Sequence, residues 1–307
     1  MKTLILVLTL TLLLPVAVFA TSGCLESAKV KKPNLSANTA GLYKANLVLA
    51  EVAILKDKNN ADAIIWLGRR NAYLGNYKKA IKIYADGMKK HPNDARFYRH
   101  RGHRFISIRC FDDAISDFRK AVKLIEGKPD VVEPDGLPNA RNIPTSTLQS
   151  NIWYHLGLAY YLKGEFKKAA EAYREGLLVS KNPDMLVAMT NWRYIAVRRS
   201  KGKVAAEKEV SRIADDLDII ENEAYYKLVK VYQGKLNADK LLKEISSDAN
   251  NLSNASLGYG LGNWFLMNGG KEKAFEIFRL ITGGDQWSSF GYIAAEAELN
   301  RQKNARK

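Results

Sequence analysis

The sequence predicts an all-α fold, a stack of antiparallel helical hairpins closed by a terminal helix. The first observation behind this is a ruler of three residues. Gly68, Ala80 and Tyr84 recur as Gly102, Ala114 and Phe118, as Gly157, Ala169 and Tyr173, and as Gly262, Ala274 and Phe278. In each set alanine follows glycine by 12 positions and the aromatic follows alanine by 4, and the first two sets lie 34 apart; fixed self-similarity of this length marks a repeat architecture. The second is helical periodicity, as in Trp153, Leu156 and Tyr160, where large side chains surround the small ones that let two helices approach. The third is punctuation. Gly75-Asn76, Gly164-Glu165 and Gly269-Gly270 read as turns, and Pro92-Asn93-Asp94 and Asn182-Pro183-Asp184 as helix starts.

In order along the chain, residues 1–20 read as a secretory signal peptide: one lysine, an apolar run from Leu4 to Ala20, then small residues. No other stretch is long and apolar enough to span a bilayer. Two processing routes are open. Cleavage after Ala20 is one. The other treats Thr21-Ser22-Gly23-Cys24 as similar to a bacterial lipobox, removing 1–23 and lipidating Cys24, although Thr21 stands where leucine is usual. Cys24 and Cys110 are the two cysteines. Lipidation of Cys24 leaves Cys110 a lone thiol, whereas cleavage after Ala20 allows a Cys24–Cys110 disulfide in an oxidising compartment.

Residues 21–34 are expected to be a linker and 35–57 a leading helical segment. Hairpins follow at 61–94, 95–126 and 150–183. The third ruler set is offset from the second by 55 positions, so a loop is inserted over 126–149. Its prolines, glycines and missing apolar period mark it as a loop, and PDG and LPN within it favour an ordered one. Residues 184–247 read as degenerate hairpins and 255–283 as a looser repeat. SSFGYIAAEAELN is the terminal capping helix, which a solenoid needs at its exposed end. The helical array is expected to run over 35–301, with a basic tail at 302–307.

Residues 150–183, with Trp153, Leu156, Gly157, Tyr160, Ala169, Tyr173 and Gly176, resemble a tetratricopeptide repeat (TPR), and 61–94 and 95–126 resemble it through Leu67, Gly68, Ala80, Tyr84 and Pro92 and through Tyr98, Gly102, Phe105, Ala114, Phe118 and Ala121. The resemblance implies a right-handed α-solenoid that binds partners in its concave groove. The order of elements is also similar to that of NlpI-type bacterial envelope lipoproteins, whose repeats act as adaptors. By this analogy the groove is lined by Arg69, Tyr73, Arg96, Arg99, His100, His103, Asn151, Tyr154, His155 and Tyr161, while Arg101 and Arg104 point to solvent or the adjacent helix. Ile65 and His100 stand where peptide-carboxylate clamps of the family have lysine and asparagine, which argues against a chaperone-tail clamp.

Net charge is +16 and the pI near 9.6. That charge is either a solvated surface or a field for acidic partners, and export makes nucleic acid an improbable one. An arginine-tyrosine groove suits carboxylates or phosphates. It can equally be filled from within, since Asp130, Glu133 and Asp135 of the inserted loop start beside Arg96 and Arg99. A metal at His100 and His103 is disfavoured by the five arginines between 96 and 109. No phosphate loop, nucleophile elbow or Cys-His pair is present, so neither an enzyme nor a cofactor is expected. The sequence therefore points to an exported scaffold or adaptor that binds an acidic protein or peptide, located in the periplasm or at the outer membrane. The alternative is an envelope module for a non-protein anion such as a cell-wall glycan or lipid head group.

Overall fold

A computed structural model describes residues 23–246 and 255–305; the signal-peptide segment 1–20 lies outside them. Fifteen helices make up these residues. They are α1 (Gly23–Ser27), α2 (Ala37–Lys56), α3 (Ala61–Tyr73), α4 (Tyr77–Lys90), α5 (Ala95–Ser107), α6 (Phe111–Ile125), α7 (Leu148–Lys163), α8 (Phe166–Val179), α9 (Pro183–Lys201), α10 (Lys203–Val210), α11 (Glu223–Tyr232), α12 (Ala238–Ser246), α13 (Ala255–Met267), α14 (Lys271–Gly283) and α15 (Phe290–Asn304). The fold is an α-solenoid of helical hairpins, with α3–α4, α5–α6, α7–α8 and α13–α14 as the four units carrying the ruler.

The ruler has a direct steric cause. A methyl group on Gly68 would sit 2.3 Å from the Tyr84 ring, on Gly102 2.8 Å from Phe118, on Gly157 2.8 Å from Tyr173 and on Gly262 2.6 Å from Phe278. In each hairpin the aromatic of the second helix lies against the bare backbone of the first, and the alanine one turn earlier is fully buried beside it. Caps sit where the sequence placed them. Asp94 accepts from Arg96 N, Asn182 from Met185 N with Pro183 in the first turn, and Thr147 with Ser150 closes a capping box.

Each hairpin turn needs one residue in the left-handed region. Gly75 (φ 77°), Gly164 (φ 86°) and Gly269 (φ 90°) supply it seven positions after their ruler glycines. In the α5–α6 turn the same place is held by Arg109, at φ 67°. A side chain there costs on the order of 1 kcal/mol. Its guanidinium offsets this by gripping the C-terminal segment: Nε donates to Glu296 Oε2 at 2.7 Å, Nη2 to Trp287 O at 2.9 Å, and the group lies 3.9 Å from the Trp287 ring centroid.

The terminal helix does more than cap the last repeat. Gly291 brings α15 onto the start of α13, and Arg301 donates to Leu162 O in α7 at 2.9 Å. Asn34 donates to Asp285 at 3.1 Å, so the two ends of the array touch. The C-terminal segment thus folds back on the N-terminal arm, the α5–α6 turn and α7.

Of the expected linker 21–34, the described part, residues 23–34, is tied to the array. Leu25 is buried, and a disulfide joins Cys24 to Cys110 across 86 positions. That bond and a lipid thioether compete for the same sulfur of Cys24, and here the sulfur is in the bond. With both sulfurs bonded, the nearby Asp113 has no thiolate to share a cation with. At the other end α15 extends to Asn304, so the expected tail begins inside a helix.

Candidate interaction site

The hairpin ruler fixes which way α5 faces. Gly102 turns toward Phe118 in α6, so Arg99, His100 and His103 face the inner curve, beside Arg69 and Tyr73 of α3 and Asn151 and His155 of α7. The inserted loop enters this space. Its ends are held by an isolated antiparallel bridge between Val132 and Thr147. Arg69 donates to Pro134 O at 2.8 Å and Arg70 to Gly136 O at 3.1 Å. Gly136 lies tight against α3: a Cβ there would sit 1.6 Å from the Tyr73 hydroxyl and displace that side chain.

Glu133 is thereby carried into the arginine cluster. Its Oε2 lies 3.1 Å from Arg99 Nε and accepts from Asn151 Nδ2 at 2.7 Å, and its Oε1 lies 2.9 Å from His100 Nε2. The Arg99 Nε–H is not aligned on the carboxylate, so that contact is an ion pair rather than a hydrogen bond. Arg99 Nη1 lies 2.9 Å from His100 Nδ1 and can only donate, which leaves the His100 proton on Nε2, facing Glu133. Burial would raise the Glu133 carboxyl, but Arg99, His100 and Arg69 hold it well below the usual carboxylate range. Burial, then Arg99, lowers His100 to about 3, and the same two causes lower His155 to about 3. His155 donates from Nδ1 to Asn151 O at 2.6 Å. His103 is driven well below its ordinary value by burial, Arg104 and His155, and its ring packs 4.4 Å from that of His155. All three imidazoles are neutral at pH 7, and Phe290 of α15 closes over His103 and His155.

Of the two states left open by the sequence, a free groove or one filled by the loop, the structure has the second at Arg99 and His100, so these residues are corrected from partner-binding to internal pairing. Arg99, His100, Asn151 and His155 are buried around Glu133, an acid of the chain itself. Arg96 lies apart, paired with Asp94 at 2.6 Å and Asp62 at 2.5 Å near the start of α5. Of the loop acids only Glu133 forms an ion pair with these arginines: Asp130 caps Val131 N and Gln149 N, and Asp135 feels the charge of Arg69 without pairing with it. Tyr154 accepts from Trp192 Nε1 at 2.9 Å inside the core. Tyr161 is fully buried, bonded to Tyr259 and Asn263 beside the Glu298–Arg199–Arg301 cluster. The packing of α9 and α13 against α7 uses both tyrosines, leaving neither for a partner.

One residue sent elsewhere belongs at this site. Arg104 follows His100 by one helical turn and is half-buried, with its guanidinium 5.8 Å from the Tyr77 ring centroid. Among the described residues it makes no hydrogen bond or ion pair. Burial lowers its affinity for protons, with Tyr84, Tyr77 and Tyr73 opposing and Arg69 adding to it. Arg69 likewise bonds to a carbonyl and to the Tyr73 hydroxyl, with no carboxylate. Among the three guanidiniums of Arg69, Arg99 and Arg104, only that of Arg99 is ion-paired with a carboxylate, Glu133, while Asp135 lies near Arg69 without bonding to it. Arg101, by contrast, is fully used by Asp117 of α6 at 2.7 and 2.8 Å.

The tetratricopeptide-repeat family model matches residues 150–183. Among solved structures, a tetratricopeptide repeat protein from Parabacteroides merdae ATCC 43184 is similar over 83% of this chain and 93% of its own, at 16% identity and a TM-score of 0.49. PilW, described as a widely conserved type IV pilus biogenesis factor, aligns over 81% and 89% at 15% identity and 0.45. YrrB, a TPR protein with an unusual peptide-binding site, aligns over 81% and 97% at 14% identity and 0.43. No curated protein matches the chain in sequence.

Proposed function

For a chain built of tetratricopeptide repeats, we propose the role of a non-catalytic, exported scaffold that binds an acidic protein or peptide of the bacterial cell envelope. The single observation carrying this is the surplus of charge on the inner curve, where neither Arg69 nor Arg104 is bonded or ion-paired to a carboxylate among the described residues. A partner acid at this rim would find two guanidiniums with Tyr73 and Tyr77 beside them, next to the loop rather than in place of it. Such charge-assisted bonds are about twice as strong as neutral ones. The Cys24–Cys110 disulfide supports an oxidising compartment and the soluble exported route, with cleavage after Ala20.

The test is crosslinking in intact cells followed by mass spectrometry, comparing the wild type with Arg104→Glu. Arg104 has no hydrogen bond or ion pair to lose and only a loose contact with the Tyr77 ring, 5.8 Å away, so the variant should keep its helical circular dichroism. Loss of one captured protein from the folded variant is the expected result. Identical capture by both proteins would refute the concave site.

A second reading, binding of a non-protein anion, is favoured by one cleft. Between α9, α13, α14 and α15 a cavity of about 470 Å³ is lined by Arg198, Arg199, Lys271 and Arg301 around Glu298. Steep loss of binding with rising salt would point to this reading, and shallow loss to a protein contact with an apolar core.

A further inference from the structure

The N-terminal end of the stack has an open apolar face. Helices α3 to α9 each pack between neighbours on two sides, while α2 packs mainly on α3. Against α3 it sets Ala50 and the Tyr43 ring, 5.8 Å from Tyr73. On its other side Leu42, Leu49 and Val52 are 58%, 67% and 44% exposed, with Val48 at 56% and Leu55 at 75% beside them. Leu42, Leu49 and Lys56 recur every seven residues, and Ala45 and Val52 fall between them, so these side chains form one stripe. Five of the thirteen large exposed hydrophobics among the described residues lie on this one helix, which makes them a patch rather than scatter.

We propose that this face docks an acidic amphipathic helix of another protein, which extends the array by one helix. Three observations select that occupant. The stripe runs the length of a 20-residue helix, about 30 Å, and it stands where the stacking pattern would place the next helix. Lysines frame both ends. Lys56 and Lys58 lie at one end, where Lys90 donates to Lys58 O at 2.5 Å, and Lys44, Lys31 and Lys32 lie toward the other, where Lys32 abuts Gly75. Only Glu51 and Asp57 on this helix and its end oppose them. A second copy would bring the same lysines and be repelled. Apart from Lys56 at its end the stripe is aliphatic, without the tryptophan or phenylalanine that helices lying in a bilayer interface carry. The proposal rests on the scaffold reading but not on the concave site.

The test uses the full chain with a photoreactive amino acid at position 49, irradiated in intact cells, with adducts mapped by mass spectrometry. The expected adduct lies in a partner segment with apolar residues at helical spacing and a net negative charge. That segment, synthesised as a labelled peptide, should bind the purified wild type and lose at least tenfold in affinity, on the order of the effect of two buried leucines, for Leu49→Glu/Leu55→Glu. These positions face solvent, so the double variant should keep its fold. Adducts on lipid, adducts on a second copy of the chain, no adduct, or equal binding by the variant would each overturn the proposal. If capture that depends on Arg104 persists while position 49 captures nothing, this inference falls and the scaffold reading stands.

Discussion

Lowering the pH should unfold this protein through its histidines. His100, His103 and His155 are neutral in the folded state, between Arg99, Arg104, Glu133, Phe118 and Phe290. Unfolding frees them to take up protons below their ordinary value of 6.5. A base held low in the folded state gives stability that is complete above the unfolded value and falls as pH drops through it. For His100 and His155, each held at about 3, going from pH 7 to pH 5 removes about 2 kcal/mol apiece. Together that is about 4 kcal/mol, and His103 adds in the same direction. Total stabilities of domains are only about 5–15 kcal/mol. Asp117 and Asp135, raised by burial, act in the opposite sense toward the acid end. The assay is urea unfolding followed by circular dichroism at pH 7, 6 and 5. His100→Gln keeps an acceptor for Arg99 and a donor for Glu133, and should flatten the pH slope by about one proton. A stability that changes by less than about 1 kcal/mol over this range, or that rises toward pH 5, would refute the reasoning.

Further outcomes follow from the same geometry. Reducing the Cys24–Cys110 bond, which closes a span of 86 positions, should cost about 2–4 kcal/mol, read as the shift in urea midpoint with and without dithiothreitol. Glu133→Ala strands Arg99 in a buried cradle and should destabilise by about 3–5 kcal/mol, measured by thermal melting. Gly291→Ala places a methyl group 2.0 Å from the Ala255 carbonyl oxygen; it should cost about 1–3 kcal/mol or more, against almost nothing for Gly23→Ala, which meets no atom within 4 Å. Arg109→Gly restores an ordinary turn but releases Glu296 and Trp287, so amide exchange should quicken over residues 284–304 and change little in α7–α8.

The hairpins were legible because their cause is local. A glycine facing an aromatic sixteen residues later leaves a spacing that any reading of the chain can find. The loop was legible as ordered and as a candidate filling for the groove, but choosing Glu133 over Asp130 and Asp135 depends on where Gly136 meets Tyr73, a long-range fit. Tyr154 and Tyr161 were misassigned for a similar reason. Their periodicity places them on the inner side of α7, while the curl of α9 and α13 decides whether that side is wet. Arg104 had a usable signal, its one-turn offset from His100. So did Arg109, which sits at the register occupied by glycine in the other turns.

The grip of Arg109 on the last helix alters how the whole array should come apart. A linear stack of repeats is nearly one-dimensional: its stability is a sum of neighbour terms, and it can shed an end while the middle persists. Tying the closing helix to the α5–α6 turn and the N-terminal arm removes some of the cheapest openings, while α2 keeps a free face; breaking that grip loosens the arm, the α5–α6 turn and the closing helix together. Repeats that would otherwise melt in sequence are thereby coupled into a larger cooperative unit.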